Sequence, residues 1–169
     1  MDATGVATEW TDLFVASAGA SAALTGLVFV AVSINLDRIL ALEGLPERAL
    51  ETLLLLLGVV VVSLLALAPN QGATALGLEL LVESVAVIVL IAVLVRRSLP
   101  PPPERWSPRW RKYTTWRLVL VGAGTVPFLV GALVLLAGGD GLPWVLAGTI
   151  GAIVGAVLNA WVLLVEILR

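Results

Sequence analysis

Two glutamates inside an apolar segment are the residues best suited to chemistry in this sequence. Glu79 and Glu83 are four positions apart, so they share one face of a helix. If that helix crosses a membrane, Glu83 lies roughly 10–13 Å below the outer surface, where an acid must face protein or a water-filled cavity. We interpret the pair as a candidate cation or proton site. The alternative is a neutral Glu that hydrogen-bonds a neighbouring helix.

Small hydroxyl residues form a second candidate set. Ser17, Ser21 and Thr25 recur every four residues in the first apolar segment. Together with Glu79 and Glu83 they are candidates to line an ion pathway. The alternative, which we favour, is ordinary helix packing, because small residues let helices approach each other closely.

A third pattern lies near the C-terminus of the sequence. Gly151 and Gly155 form a small-xxx-small motif that Asn159 extends by one turn. Such faces pack helices closely, and a membrane Asn hydrogen-bonds across the contact. We predict helix packing here, within one chain or between copies, with a ligand site at Asn159 as a lesser alternative.

The composition excludes many other chemistries. The sequence contains no His and no Cys. It therefore has no imidazole or thiolate metal ligands, no Cys nucleophile and no Ser-His-Asp triad. We expect no enzymatic activity, no metal and no cofactor. The net charge of −2 gives no reason to expect binding to nucleic acid.

The elements that would position these residues are transmembrane helices. Of the 169 residues, 60% are apolar and only 13% are charged, with a mean hydropathy of +1.07. A soluble domain carries about 25% charged residues, so this chain should expose its surface to lipid. The fold class is all-α, a single polytopic transmembrane domain over residues 1–169. The five predicted spans are residues 13–36, 49–68, 75–95, 118–137 and 143–168.

The distribution of charge predicts the orientation. With five spans, all ten Lys and Arg residues fall on one side of the membrane, so the positive-inside rule predicts an N-out, C-in topology. The longest inner loop, residues 96–117, is rich in basic and aromatic residues of the kind that bind anionic lipid headgroups. The predicted lipid contacts in this loop are Arg105, Trp106, Arg109, Trp110 and Lys112.

The N-terminal part of the chain resembles a known group of proteins. The stretch from Ala16 to Leu36, followed by Gly44-Leu45-Pro46-x-Arg48-Ala49-Leu50, is similar to the opening of a family of small bacterial multi-pass membrane proteins. Some members of that family carry the label "modulator of FtsH protease". The resemblance covers roughly the first 70 residues. It implies a location in the bacterial inner (cytoplasmic) membrane and no established activity.

Residues 21–36 also resemble the pore-lining helix of Orai calcium channels. Orai proteins, however, have four spans and a cytoplasmic N-terminus, whereas this sequence predicts five spans. Their acidic filter position falls on or near Ile34, which is not acidic. We therefore interpret this as a likeness between two helices rich in small residues, and not as homology.

These observations favour one function and leave one rival. The first hypothesis is a small homo-oligomeric membrane protein that forms an ion channel or permeation path through Glu79 and Glu83. The alternative is a non-transporting regulator or scaffold that binds other membrane proteins through its helix faces and basic loop. Ion flux into liposomes distinguishes the two.

Overall fold

The computed structural model describes residues 7–99 and 108–168, with side chains for residues 7–99 and 114–166. Within these residues every regular element is helical. A 3₁₀ turn, Thr8–Trp10, leads into α1. The α-helices are α1 (Thr11–Ile34), α2 (Leu36–Ala41), α3 (Leu45–Ala66), α4 (Ala73–Arg97), α5 (Pro108–Leu136) and α6 (Leu142–Leu168).

The prediction of an all-helical protein is confirmed for the described residues. Five helices, α1 and α3 to α6, are long and apolar enough to cross a membrane. Their boundaries lie within two residues of the predicted ones except at two starts. α3 begins at Leu45 rather than residue 49, and α5 begins at Pro108 rather than residue 118. The first turns of both helices are polar, so hydropathy does not detect them, and proline is well tolerated in a first turn.

Four of the spanning helices form a closed bundle. α3, α4, α5 and α6 each pack against the next helix in sequence, and α6 closes the ring on α3. α1 lies outside this ring and packs mainly on α3. The turns 67–72 and 137–141 lie at one end of the bundle, which we call the turn end. The opposite end holds the starts of α3 and α5 and the exposed Arg96 and Arg97, and we call it the basic end.

The apolar core is centred on α3. Leu55, Leu56, Val59 and Val62 are at most 2% exposed and belong to a cluster with residues from every other spanning helix. Large apolar side chains also cover the outside of the molecule, including on α1, α4 and α6. An apolar exterior around a packed core is what a lipid-facing helical protein requires.

Glycines bring α5 and α6 into backbone contact. A Cβ added at Gly151 would lie 2.1 Å from the carbonyl oxygen of Ala123, and one at Gly155 would lie 3.2 Å from that of Leu120. From the other side, a Cβ at Gly124 would lie 2.7 Å from the Cα of Ala152. The small-xxx-small face of α6 is therefore used within one chain, against α5, and it is not available to a second copy.

Replacing Gly151 with alanine should separate α5 from α6. Because the new methyl group would meet the Ala123 backbone, Gly151→Ala should lower the free energy of unfolding by about 1–3 kcal/mol. Gly122→Ala is the matched control on α5, since nothing lies within 4 Å of its added Cβ. Thermal or denaturant unfolding in detergent measures both. Equal stability of the two variants would contradict this packing.

Candidate functional site

Glu83 lies at a junction of three helices. It is ten residues from the start of α4, about 15 Å along the helix axis, and its side chain is half-buried among residues of α3, α4 and α5. A Cβ at Gly58 would come within 3.1 Å of the Glu83 Oε1. The missing side chain at Gly58 thus makes room for the carboxyl group. Among the described residues, no side chain or backbone group donates a hydrogen bond to Glu83.

The space beside Glu83 is small and offers only acceptors. A cavity of about 10 Å³ there is bordered by Ser84 and Thr125. The Ser84 hydroxyl donates to the Leu80 carbonyl (2.6 Å) and the Thr125 hydroxyl to the Val121 carbonyl (2.9 Å). Both protons are therefore used within their own helices. Since a single water needs roughly 10–15 Å³, the junction of one chain has space for a proton or one water, and a hydrated cation does not fit.

Glu79 has different surroundings. It lies one turn closer to the turn end and is exposed. Its carboxylate accepts a hydrogen bond from the side-chain amide of Gln71. Of the predicted pair, only Glu83 is part of the packed junction.

The hydroxyl residues of α1 lie elsewhere. Ser17 and Ser21 are buried on a helix whose main partner is α3, and Thr25 donates to the Ser21 carbonyl (2.7 Å). α1 packs outside the ring, so the structure does not bring these residues together with Glu79 and Glu83. They lie at the contact between α1 and α3, which agrees with the alternative of ordinary helix packing and not with an ion pathway.

The predicted lipid-binding residues fall mostly outside what the structure describes. Arg105 and Trp106 lie outside the described residues. Arg109, Trp110 and Lys112 belong to the first turns of α5, and their side chains lie outside the described set.

A buried ion pair at the basic end is the feature that the sequence analysis missed. Arg117 of α5 binds both carboxylate oxygens of Glu51 on α3, with Nε 2.9 Å from Oε2 and Nη2 bonded to Oε1. Its Nη1 donates to the Ser98 hydroxyl at the end of α4 (2.6 Å). Glu51 is 0% and Arg117 5% exposed. The pair therefore lies within the bundle and joins three of its helices.

A second buried arginine, Arg48, connects the fourth helix of the ring, α6, to α3. Arg48 is 4% exposed, and its Nη2 donates to the Asn159 Oδ1 of α6 (3.3 Å). Asn159 therefore links α6 to α3, in agreement with its predicted role in packing. The predicted spans begin at residues 49 and 118 and so place Arg48 and Arg117 in loops, and this prediction is wrong for both. Each belongs to a helix that starts earlier than its apolar stretch.

The sequence did contain a sign of this ion pair. Glu51 stands near the start of an otherwise apolar span, and Arg117 stands at the edge of another. In an up-and-down bundle, alternate helices start at the same end, so residues near the starts of α3 and α5 lie at the same depth. A search for opposite charges at matching depth would have found the pair.

Comparison of the chain with protein-family models, with curated proteins and with solved structures gives no match. Function must therefore be inferred from the chemistry of the site. Three features are available for that purpose: the isolated carboxyl of Glu83, the exposed carboxylate of Glu79, and the buried ion pair at the basic end.

Breaking the buried ion pair should destabilise the bundle strongly. Glu51→Gln leaves Arg117 buried without a counter-charge and should cost about 3–5 kcal/mol in unfolding free energy. The double variant Glu51→Leu with Arg117→Met should recover most of that loss, because two apolar side chains replace two charges. Unfolding in detergent provides the measurement.

The exposed Arg97 offers the control for this experiment. Arg97→Gln should change the unfolding free energy by less than about 0.5 kcal/mol. If Glu51→Gln behaved like Arg97→Gln, the ion pair would not hold the helices together.

Proposed function

We propose that this chain is a small homo-oligomeric protein of the bacterial inner membrane that carries protons or cations along a path through Glu83. The observation that supports this function is the isolated carboxyl group of Glu83 near the middle of a spanning helix. It is half-buried, and no described residue donates a hydrogen bond to it. A carboxylate at that depth is costly unless water, a proton or a cation reaches it.

The need for more than one copy follows from the size of the site. The cavity beside Glu83 measures about 10 Å³, and the neighbouring surface of α4 carries exposed side chains such as Val82 and Val85. A single chain therefore leaves Glu83 incompletely enclosed. We propose that the outward face of α4 meets a second copy and that the two chains together line the path.

The proposed orientation is N-out, C-in. It is supported by the basic end, where Arg96 and Arg97 are exposed and suited to the anionic headgroups of the cytoplasmic leaflet. Glu79 then lies on the extracytoplasmic side of Glu83, as the first carboxylate that an entering cation meets. Reporter fusions at residues 1 and 169 that report from the same side would contradict this orientation.

One observation favours the regulator or scaffold alternative. Gly19 and Gly26 of α1 have nothing within 4 Å of an added Cβ, so the outer side of α1 is open. Small residues on an open membrane helix are suited to packing against a helix of another protein. A chain that binds partners in this way would need no ion path.

Flux measurements with purified protein in liposomes test the proposed function. Wild-type protein should conduct protons or monovalent cations above the level of empty liposomes. Glu83→Gln should reduce that flux at least about tenfold, equivalent to 1.4 kcal/mol, because the amide keeps the shape but cannot exchange a proton or attract a cation. Glu79→Gln should have a smaller effect, since this residue is exposed.

Glu166→Gln is the matched control, because it makes the same chemical change in α6 at the basic end. It should leave the flux unchanged. If wild-type protein and Glu83→Gln show the same flux and the same stability, the carboxyl is structural. The regulator alternative would then be the better explanation.

A further inference from the structure

A second cavity lies at the turn end, away from Glu83. It measures about 140 Å³, opens to the surface and is bordered by the start of α1, the end of α3 and the turn that leads into α4. Since a single water needs roughly 10–15 Å³, the cavity has room for an ion with part of its hydration shell. Neither the junction at Glu83 nor the buried ion pair contributes to it.

Gln71 borders this cavity and carries an acceptor without a donor among the described residues. Its amide nitrogen donates to Glu79, which fixes the amide oxygen on the other side. That oxygen is buried, and no described residue donates a hydrogen bond to it. A buried acceptor without a donor is unfavourable, and a cation would compensate for it.

The other groups around the cavity are also oxygen acceptors. The Thr11 hydroxyl gives its proton to the Thr8 carbonyl (2.8 Å), so its oxygen is left to accept. α3 ends at Ala66, and residues 66–68 border the cavity. The carbonyl groups of a last helical turn point beyond the helix end and carry the negative end of its dipole.

The surrounding charge is negative. The carboxylate of Glu79 accepts a hydrogen bond from Gln71. Glu9 and Asp12 are exposed and close to Thr11 in the sequence. No Lys or Arg occurs before residue 38 or between residues 49 and 95. A positive ligand is therefore favoured. The neutral oxygens of amide, hydroxyl and carbonyl groups suit a hard monovalent cation better than a divalent one, which usually takes carboxylate ligands.

We propose that this cavity binds a partly hydrated monovalent metal cation such as Na⁺ through the Gln71 amide oxygen, the Thr11 hydroxyl and the carbonyls that end α3. The site is independent of the Glu83 path. It would also bind its ion in a protein that conducts nothing.

Sodium titration of the purified full-length protein tests this site. NaCl replaces N-methylglucamine chloride at constant ionic strength, and calorimetry or the unfolding temperature is recorded. Wild-type protein should show saturable Na⁺ binding. Gln71→Leu and Thr11→Val should each weaken it about tenfold, because each removes one ligand oxygen.

Thr74→Val is the control, since Thr74 is exposed and does not border the cavity. The Na⁺ affinity of this variant should equal that of the wild-type protein. Thr11→Val keeps the side-chain shape and so guards against a folding defect in Gln71→Leu.

A signal that never saturates would mean that the cavity holds water only. Affinity that is unchanged in both cavity variants would place the ion elsewhere. Either result overturns the proposal. Wild-type protein that binds Na⁺ but conducts no ions would instead reject only the Glu83 path.

Discussion

The ion pair between Glu51 and Arg117 joins two helices, α3 and α5, that lie diagonally across the four-helix ring. Ser98 adds the end of α4, and Arg48 with Asn159 adds α6, so all four helices are connected at the basic end. A bilayer core offers no water to solvate a separated charge, so neither partner can leave without a large cost. The basic end therefore fixes the arrangement on which the rest of the bundle is built.

The cost of burying a charge in the membrane gives Glu83 a different role from that of Glu51. Glu51 and Glu83 are both acids inside spanning helices, but Glu51 has an arginine on both of its oxygens and Glu83 has no donor in the described part of the chain. A fully paired carboxylate contributes to structure and has no capacity left for a ligand. An unpaired one beside Gly58 can exchange a proton or attract a cation. The contrast between these two environments, and not the presence of acids alone, supports a functional role for Glu83.

Much of the fold could be predicted from the sequence, because long apolar stretches separated by breakers have few alternatives in lipid. The role of Gly151 and Asn159 in packing could also be predicted, since small residues and amides recur at helix contacts. The sequence could not show that α1 lies outside the ring, which separates Ser17, Ser21 and Thr25 from Glu83. Helix order around a bundle depends on side-chain fit, which hydropathy does not record. The roles of Arg48 and Arg117 were missed because polar first turns resemble loops.

Access of water to residue 83 is the most direct test of the central claim that Glu83 belongs to a path. The sequence contains no cysteine, so Glu83→Cys introduces a single thiol into the membrane-embedded protein. A charged, membrane-impermeant thiol reagent should modify this cysteine, whereas Ile150→Cys on the exposed apolar side of α6, away from the proposed path, should not react. Modification at neither position, or equal modification at both, would contradict a hydrated path at Glu83.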